Sequence, residues 1–255
     1  MTNPSSSATH EDHPISVMLF DLDDTLFAHR GAVMAGITAH RTSLGGAFAT
    51  ADEDTEARRW HELEETHYHR YLTGELSYIE QRRARARGFV GEYGVLLEDH
   101  EADAWYDAYF LEYTRAWTLH DDALACLDRM AAAGIRFGII TNGDLAFQTA
   151  KIERVGLAGR VEQVITSGEL GYAKPDARIF EHACRAFGVP PSAAAYVGDR
   201  LCTDAIGASA AGLTGVWLDR LGAASANELA AARVSDVPVI RTLAELPTAI
   251  GICAR

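Results

Sequence analysis

The chain has 255 residues, 48% of them hydrophobic, and a formal net charge of −13. That length supplies one sizeable core, or a core with a smaller insert. The acidic balance repels polyanions and argues against nucleic acid or anionic membrane as partners, and no apolar run approaches the ~20 residues of a membrane span.

Residues 1–14, MTNPSSSATHEDHP, are polar and acidic, with no basic start and no apolar run. They are expected to form a disordered tail, not a signal peptide. Ser16–Phe20 (SVMLF) is predicted as a buried strand, short, apolar and bounded by charge. From about 29 to 118 the pattern is helical, with segments over Ala32–Phe48, Asp54–Leu72, Tyr78–Phe89 and Ala102–Trp117. A helix over Asp122–Ala133 then stops at Gly134, and Ile135–Ile140 reads as a second strand. Leu145–Val155 is helical, and Val161–Thr166 is a third strand leading into the loop SGELGYAKP. Pro175 is expected in the first turn of a helix that runs to Gly188. Ala194–Val197 is a fourth strand, Ala205–Ala211 a helix and Gly215–Leu218 a fifth strand. Val237–Ile240 is a sixth candidate, with a last helix near Leu243.

Alternating strands and helices predict an α/β fold, a parallel sheet with helices on both faces. The expected organisation is a core of residues 15–28 and 119–255, interrupted by a helical insert of residues 29–118. Every polar cluster of the core follows a strand's C-terminal end, where open α/β sheets bind ligands. After the first strand come Asp21, Asp23 and Asp24. On extended backbone Asp21 and Asp23 share one side and Asp24 points away, a turn or cap residue. Thr25 is expected to brace the loop by bonding to backbone.

Two close carboxylates repel unless a cation or proton lies between them. With Asp199 and Asp204 after the fourth strand, Asp21 could complete a hard oxygen site for Mg²⁺. Carboxylates also serve as nucleophiles in phosphoryl transfer. Thr141 offers a hydroxyl, Asn142 and Gly143 offer backbone N–H groups near a helix start, and Lys174 offers a positive charge. Of 23 basic residues only Lys151 and Lys174 are lysines. Where Arg is the default cation, a retained Lys points to a need for a compact charge; the reading follows that hint to Lys174.

DxDxT at Asp21–Thr25, the Thr of TNG at Thr141, the Lys of AKP at Lys174 and GDxxxxD at Asp199–Asp204 occur in this order. Together they resemble the haloacid dehalogenase-like (HAD) hydrolase superfamily, in the subfamily I branch whose helical cap lies between the first and second motifs. The resemblance implies a Rossmann-like parallel sheet under a mobile cap. It implies that Asp21 is the nucleophile and that Asp23 is the acid and base, its backbone carbonyl also ligating metal. Thr141 would bind the phosphoryl oxygens and Lys174 would neutralise charge. Asp199 and Asp204 would complete the Mg²⁺ site with Asp21. The expected activity is Mg²⁺-dependent hydrolysis of a small soluble phosphomonoester, a nucleotide, sugar phosphate or phosphoglycolate, through an aspartyl-phosphate.

A dehalogenase is disfavoured because Asp23 is present, and a phosphonate-cleaving relative because residues 29–118 contain no lysine. A phosphomutase, or a non-catalytic phosphate sensor on the same fold, stays as the alternative. Arg30, just past the first motif, is a candidate substrate contact. Arg82, Arg83, Arg85 and Arg87 read either as a helix face paired with acids or as a source of one substrate-gripping arginine. His61, His67 and His69 do not form HExxH and read as a solvated face. Trp60, Trp105 and Trp117 and seven of the nine tyrosines lie in the insert; they are expected to be mostly its core, with some available to stack on a substrate ring. The four scattered cysteines suit a reduced, cytoplasmic chain.

Overall fold

The apolar runs that read as strands do pair, in a computed structural model that describes residues 15–252. The tail expected over residues 1–14 lies outside the described residues, as does Cys253. Six strands form one sheet: β1 (Val17–Phe20), β2 (Arg136–Thr141), β3 (Gln163–Thr166), β4 (Ala194–Gly198), β5 (Thr214–Leu218) and β6 (Val239–Ile240). Their order is β3-β2-β1-β4-β5-β6, every pair parallel. The chain therefore builds outward from β1 on one side, then crosses to the other side at β4. Such a reversal of strand order opens a crevice at the strands' C-terminal ends.

In sequence order the helices are α1 (His29–Leu44), α2 (Gly46–Thr50), α3 (Glu53–Leu72), α4 (Tyr78–Gly91), α5 (Asp99–Arg115) and α6 (Ala123–Ala132). They continue with α7 (Leu145–Arg154), α8 (Ser167–Leu170), α9 (Ala177–Phe187), α10 (Gly207–Ala210), α11 (Ala226–Val234) and α12 (Leu246–Ala249). The chain divides into two compact units. Of the described residues, one holds 15–27 and 119–252, and the other is Ala28–Thr118.

In the α/β unit, β1 is wholly buried, as a central parallel strand covered on both faces must be. The next unit of core is α9, whose Phe180 and Phe187 pack with Val17, Leu19, Ile140 and Tyr196. Burying one such Phe contributes roughly 2–3 kcal/mol. On the far side of the sheet order, Trp217, Ala232 and Val237 form a second cluster with Leu201 and Ala205.

Local chemistry moved three expected boundaries. Pro175 precedes α9 instead of opening it, because Asp176 caps the helix, its carboxylate accepting from the Arg178 N–H at 3.0 Å. The expected helix over Ala205–Ala211 becomes a π-helical turn over Leu201–Ile206 followed by the short α10. The single helix expected over Ala32–Phe48 breaks at Gly45 and Gly46, whose φ values of 73° and 54° are left-handed and cannot continue it. Two helices went unanticipated: α8, inside the supposed loop, and α11.

The helical unit has an aromatic centre. The Trp60 ring lies 4.6 Å from Tyr109, 5.4 Å from Trp105 and 5.6 Å from Phe89, so these rings are core, as expected. The four arginines of α4 are paired with acids: Arg82 with Asp107, Arg83 with Asp99 and Asp103, Arg87 with Asp99, and buried Arg85 with Glu64 at 2.9 Å. That is the paired-face reading. Among the described residues the cysteines Cys126, Cys184 and Cys202 are free, and no helix is long and apolar enough to cross a membrane.

Candidate active site

The end of β1 places Asp21. Its N–H donates to the Val197 carbonyl of β4 at 2.9 Å, one hydrogen bond beyond the strand register. The chain then turns. Asp24 adopts a left-handed φ of 59° and its N–H donates to the Phe27 carbonyl at 2.7 Å, the turn role expected of it. Thr25 corrects the reading: its hydroxyl donates to the Asp21 carboxylate at 3.3 Å instead of to backbone.

Around Asp21 the other strand ends supply a buried network. The Lys174 ammonium donates to Asp21 Oδ1 at 2.6 Å, to Asp204 Oδ1 at 2.7 Å and to the Tyr196 hydroxyl at 2.7 Å. Three protons meet three acceptors, the full capacity of a lysine. Asp204 reaches this point because the π-helical turn carries it back over β4. Gly198 permits it: a Cβ there would sit 2.4 Å from the Asp204 carboxyl carbon. Asp204 is also more than a helix cap, since its Oδ2 accepts the Arg200 N–H at 3.0 Å while Oδ1 serves the lysine.

Asp21, Asp199 and Asp204 each bring a carboxylate oxygen within 4.8 Å of the others. Burial pushes Asp21 up to about 7, with Lys174 lowering it and Asp204 raising it. Burial likewise pushes Asp199 up to about 8, helped by the charges of Asp21 and Asp204. Burial alone would lower Lys174, but Asp204 and Asp21 outweigh it and hold the ammonium above its ordinary value. Two buried carboxylates thus share one lysine, with a third, half-buried carboxylate beside them. An oxygen-only donor set with excess negative charge suits Mg²⁺, so the residues fit the metal that the sequence implied.

Asp23 belongs to a second, adjoining network. Its Oδ1 accepts from the Lys151 ammonium at 2.7 Å, and its Oδ2 from the Gln148 amide at 3.1 Å. The same amide nitrogen donates to the Thr141 hydroxyl at 3.0 Å, which ties the first motif to the second. Asn142 adds a role the sequence reading did not assign: its side chain locks onto the Lys174 backbone, donating to the carbonyl at 3.0 Å and accepting the N–H at 2.9 Å. It positions the lysine loop. Gly143 is half-buried beside it. Arg30 belongs to the helical unit, at the start of α1.

Sequence reasoning missed Gln148, Lys151 and Tyr196. Lysine scarcity applied equally to Lys151. Gln148 and Lys151 are three apart on α7 and so share a face, but which face points to the site is not a one-dimensional property.

The profile of the haloacid dehalogenase-like hydrolases matches residues 15–212. The chain belongs to the haloacid dehalogenase-like hydrolase family. Among its relatives, this HAD hydrolase is 32% identical over 225 residues to a phosphoserine phosphatase of Thermus thermophilus, covering 81% of this chain and 89% of that one. It is 29% identical to a glyceraldehyde 3-phosphate phosphatase of Methanopyrus kandleri, covering 81% and 84%. Its fold matches the magnesium-bound HAD-hydrolase YfnB from Bacillus subtilis, with a TM-score of 0.73 at 20% identity over 94% of this chain and 100% of that one. An L-2-haloacid dehalogenase from Xanthobacter autotrophicus matches with a TM-score of 0.65 at 20% identity, over 94% and 100%. The same fold hosts different reactions, so side chains must decide between them.

Proposed function

We propose that this HAD hydrolase is a Mg²⁺-dependent phosphatase of a small, soluble phosphomonoester. The observation that supports this is the pairing of Asp21 with Lys174 beside two further carboxylates, with a second aspartate, Asp23, two residues on. The relatives named above hydrolyse small phosphate esters by their names, which supports the substrate class without choosing among nucleotides, sugar phosphates and other esters.

In this reading Asp21 attacks phosphorus through a carboxylate oxygen. The bond from phosphorus to the leaving oxygen breaks, and Asp23 gives that oxygen a proton. An aspartyl-phosphate remains on Asp21. Asp23, now a base, takes a proton from water as the water attacks phosphorus, which frees Asp21 and releases inorganic phosphate. Lys174 and the hydroxyl of Thr141 hold charge on the transferring oxygens. Mg²⁺, held by Asp21, the Asp23 carbonyl, Asp199 and Asp204, would supply the charge that lets an anionic nucleophile meet an anionic phosphate. Backbone N–H groups of Asn142 and Gly143 bind phosphate.

Hydrolysis of p-nitrophenyl phosphate, measured with Mg²⁺ and after chelation, tests the reading. Turnover that disappears with the metal and returns on its addition is expected. Phosphate binding with no metal-dependent turnover would instead establish a sensor.

A further inference from the structure

The chain's two lysines share one design. Each is buried in the α/β unit, and each points its ammonium at an aspartate of the first motif: Lys174 at Asp21, 2.6 Å away, and Lys151 at Asp23, 2.7 Å away. Lys151 is 1% exposed, and Asp23 is its only ion-pair partner among the described residues. Its ammonium lies 5.0 Å from the Phe27 ring centroid and 4.7 Å from that of Phe147. Aromatic faces favour a cation but accept no full hydrogen bond from it, so the slot aims the ammonium at the one carboxylate. Arginine is used 21 times elsewhere in this chain, but its planar fork spreads the charge over several donors, where a lysine brings one compact charge to one carboxylate.

We propose that Lys151, with Gln148, is a positioning residue for the reaction, acting through Asp23; this rests on the reading of Asp23 as the acid and base. An aspartate that is 30% exposed at its side chain has two free torsions and would sample several orientations. Lys151 holds Oδ1 and Gln148 holds Oδ2, so the carboxyl plane is set from behind. Gln148 also fixes that plane relative to the Thr141 hydroxyl. Both anchors come from α7, which Asp144 caps by accepting the Phe147 N–H at 3.0 Å. The helix after β2 is thus the rear wall of the acid–base group, and general acid–base catalysis depends on such placement.

The experiment compares kcat/KM for phenyl phosphate and p-nitrophenyl phosphate at saturating Mg²⁺. This constant covers the steps through departure of the phenol, and only the poorer leaving group, phenol itself, needs a well-aimed acid. In Lys151→Met the ratio of phenyl to p-nitrophenyl kcat/KM is expected to fall by about 10-fold or more, part of the 10²–10⁴ that a positioned acid contributes. Gln148→Met is expected to shift the ratio the same way, and it decides the matter should Lys151→Met not fold. Asp23→Asn should show the largest shift, and adding Lys151→Met to it should shift the ratio no further. Equal losses on both esters, or an additive double variant, would overturn the positioning role. If Asp23→Asn shifts the ratio and the α7 variants do not, that role falls alone. If the wild type turns over neither ester, or Asp23→Asn shows no shift, the acid–base reading falls with it.

Discussion

The Lys174 ammonium sits where a point charge with three protons is wanted. Its acceptors, Asp21, Asp204 and Tyr196, lie at 2.6–2.7 Å in three directions. A guanidinium spreads its donors in one plane and is larger. Lys174→Arg should therefore lose kcat by about 10-fold or more despite equal charge, since misplacing a group at the reacting centre by roughly 1 Å can cost about 10²-fold in rate. Steady-state rates on p-nitrophenyl phosphate, with circular dichroism to verify the fold, measure this; wild-type rates would contradict it. Asp21→Asn should retain the fold and reduce turnover to background, because an amide is no nucleophile toward phosphorus. The same scale shows how far residue types alone carried the reading. Asp21, Asp199 and Asp204 were legible because charge after an apolar strand is conspicuous, and Lys174 because lysine is scarce in this chain. Tyr196 was not, because one tyrosine in AAYV looks like any β-prone residue.

At the scale of the element, α1 holds a buried imidazole with an assignable cost. His40 is 4% exposed, its Nε2 lacks a hydrogen-bond partner, and its ring meets Trp105 edge-on at 4.5 Å. Burial pushes it down to about 4, only partly opposed by Glu112. The unfolded imidazole, near 6.5, takes up a proton before the folded one does. The neutral ring's contribution is therefore complete above pH 6.5 and is lost as pH falls from 6.5 towards 4. The loss reaches at most about 3 kcal/mol. Thermal unfolding between pH 7 and 4.5 should show a steeper decline for the wild type than for His40→Leu; parallel curves would refute it. Among elements, α11 was missed although Ser225 and Glu228 form a capping box at its start, a local signal that was available. The π-helical turn over Leu201–Ile206 was not legible. It exists because Asp204 is drawn over Gly198 onto Lys174, a tertiary demand that ordinary helical spacing does not encode.

For the whole molecule, three acids crowded at one sheet edge store a cost that a cation relieves. Asp21 and Asp199 are raised to about 7 and about 8 by burial and mutual charge. A divalent cation that binds only the folded state stabilises it by RT ln(1 + [L]/Kd), about 2.7 kcal/mol at a hundredfold excess. Mg²⁺ should raise the melting temperature by roughly 5–10 °C at that excess, and a chelator should reverse the rise. Asp199→Asn should melt no lower than the metal-free wild type, having lost a charge crowded against Asp21 and Asp204, yet show no shift with Mg²⁺. A Mg²⁺ shift that survives this substitution would place the ion elsewhere.

The sequence by itself determined the architecture and the first circle of chemistry. Hydrophobic period, chain order and strand-end polarity are local properties, so six strands, most of their intervening helices and the acids at their ends could be read one segment at a time. Only the tertiary structure decided who holds whom. That the Asn142 side chain grips the Lys174 backbone, that Thr25 braces Asp21 and not backbone, and that α7 turns Gln148 and Lys151 onto Asp23, all depend on the rotation of one packed element against another. That rotation is set by the volume of the whole core, and no short stretch of residues contains it.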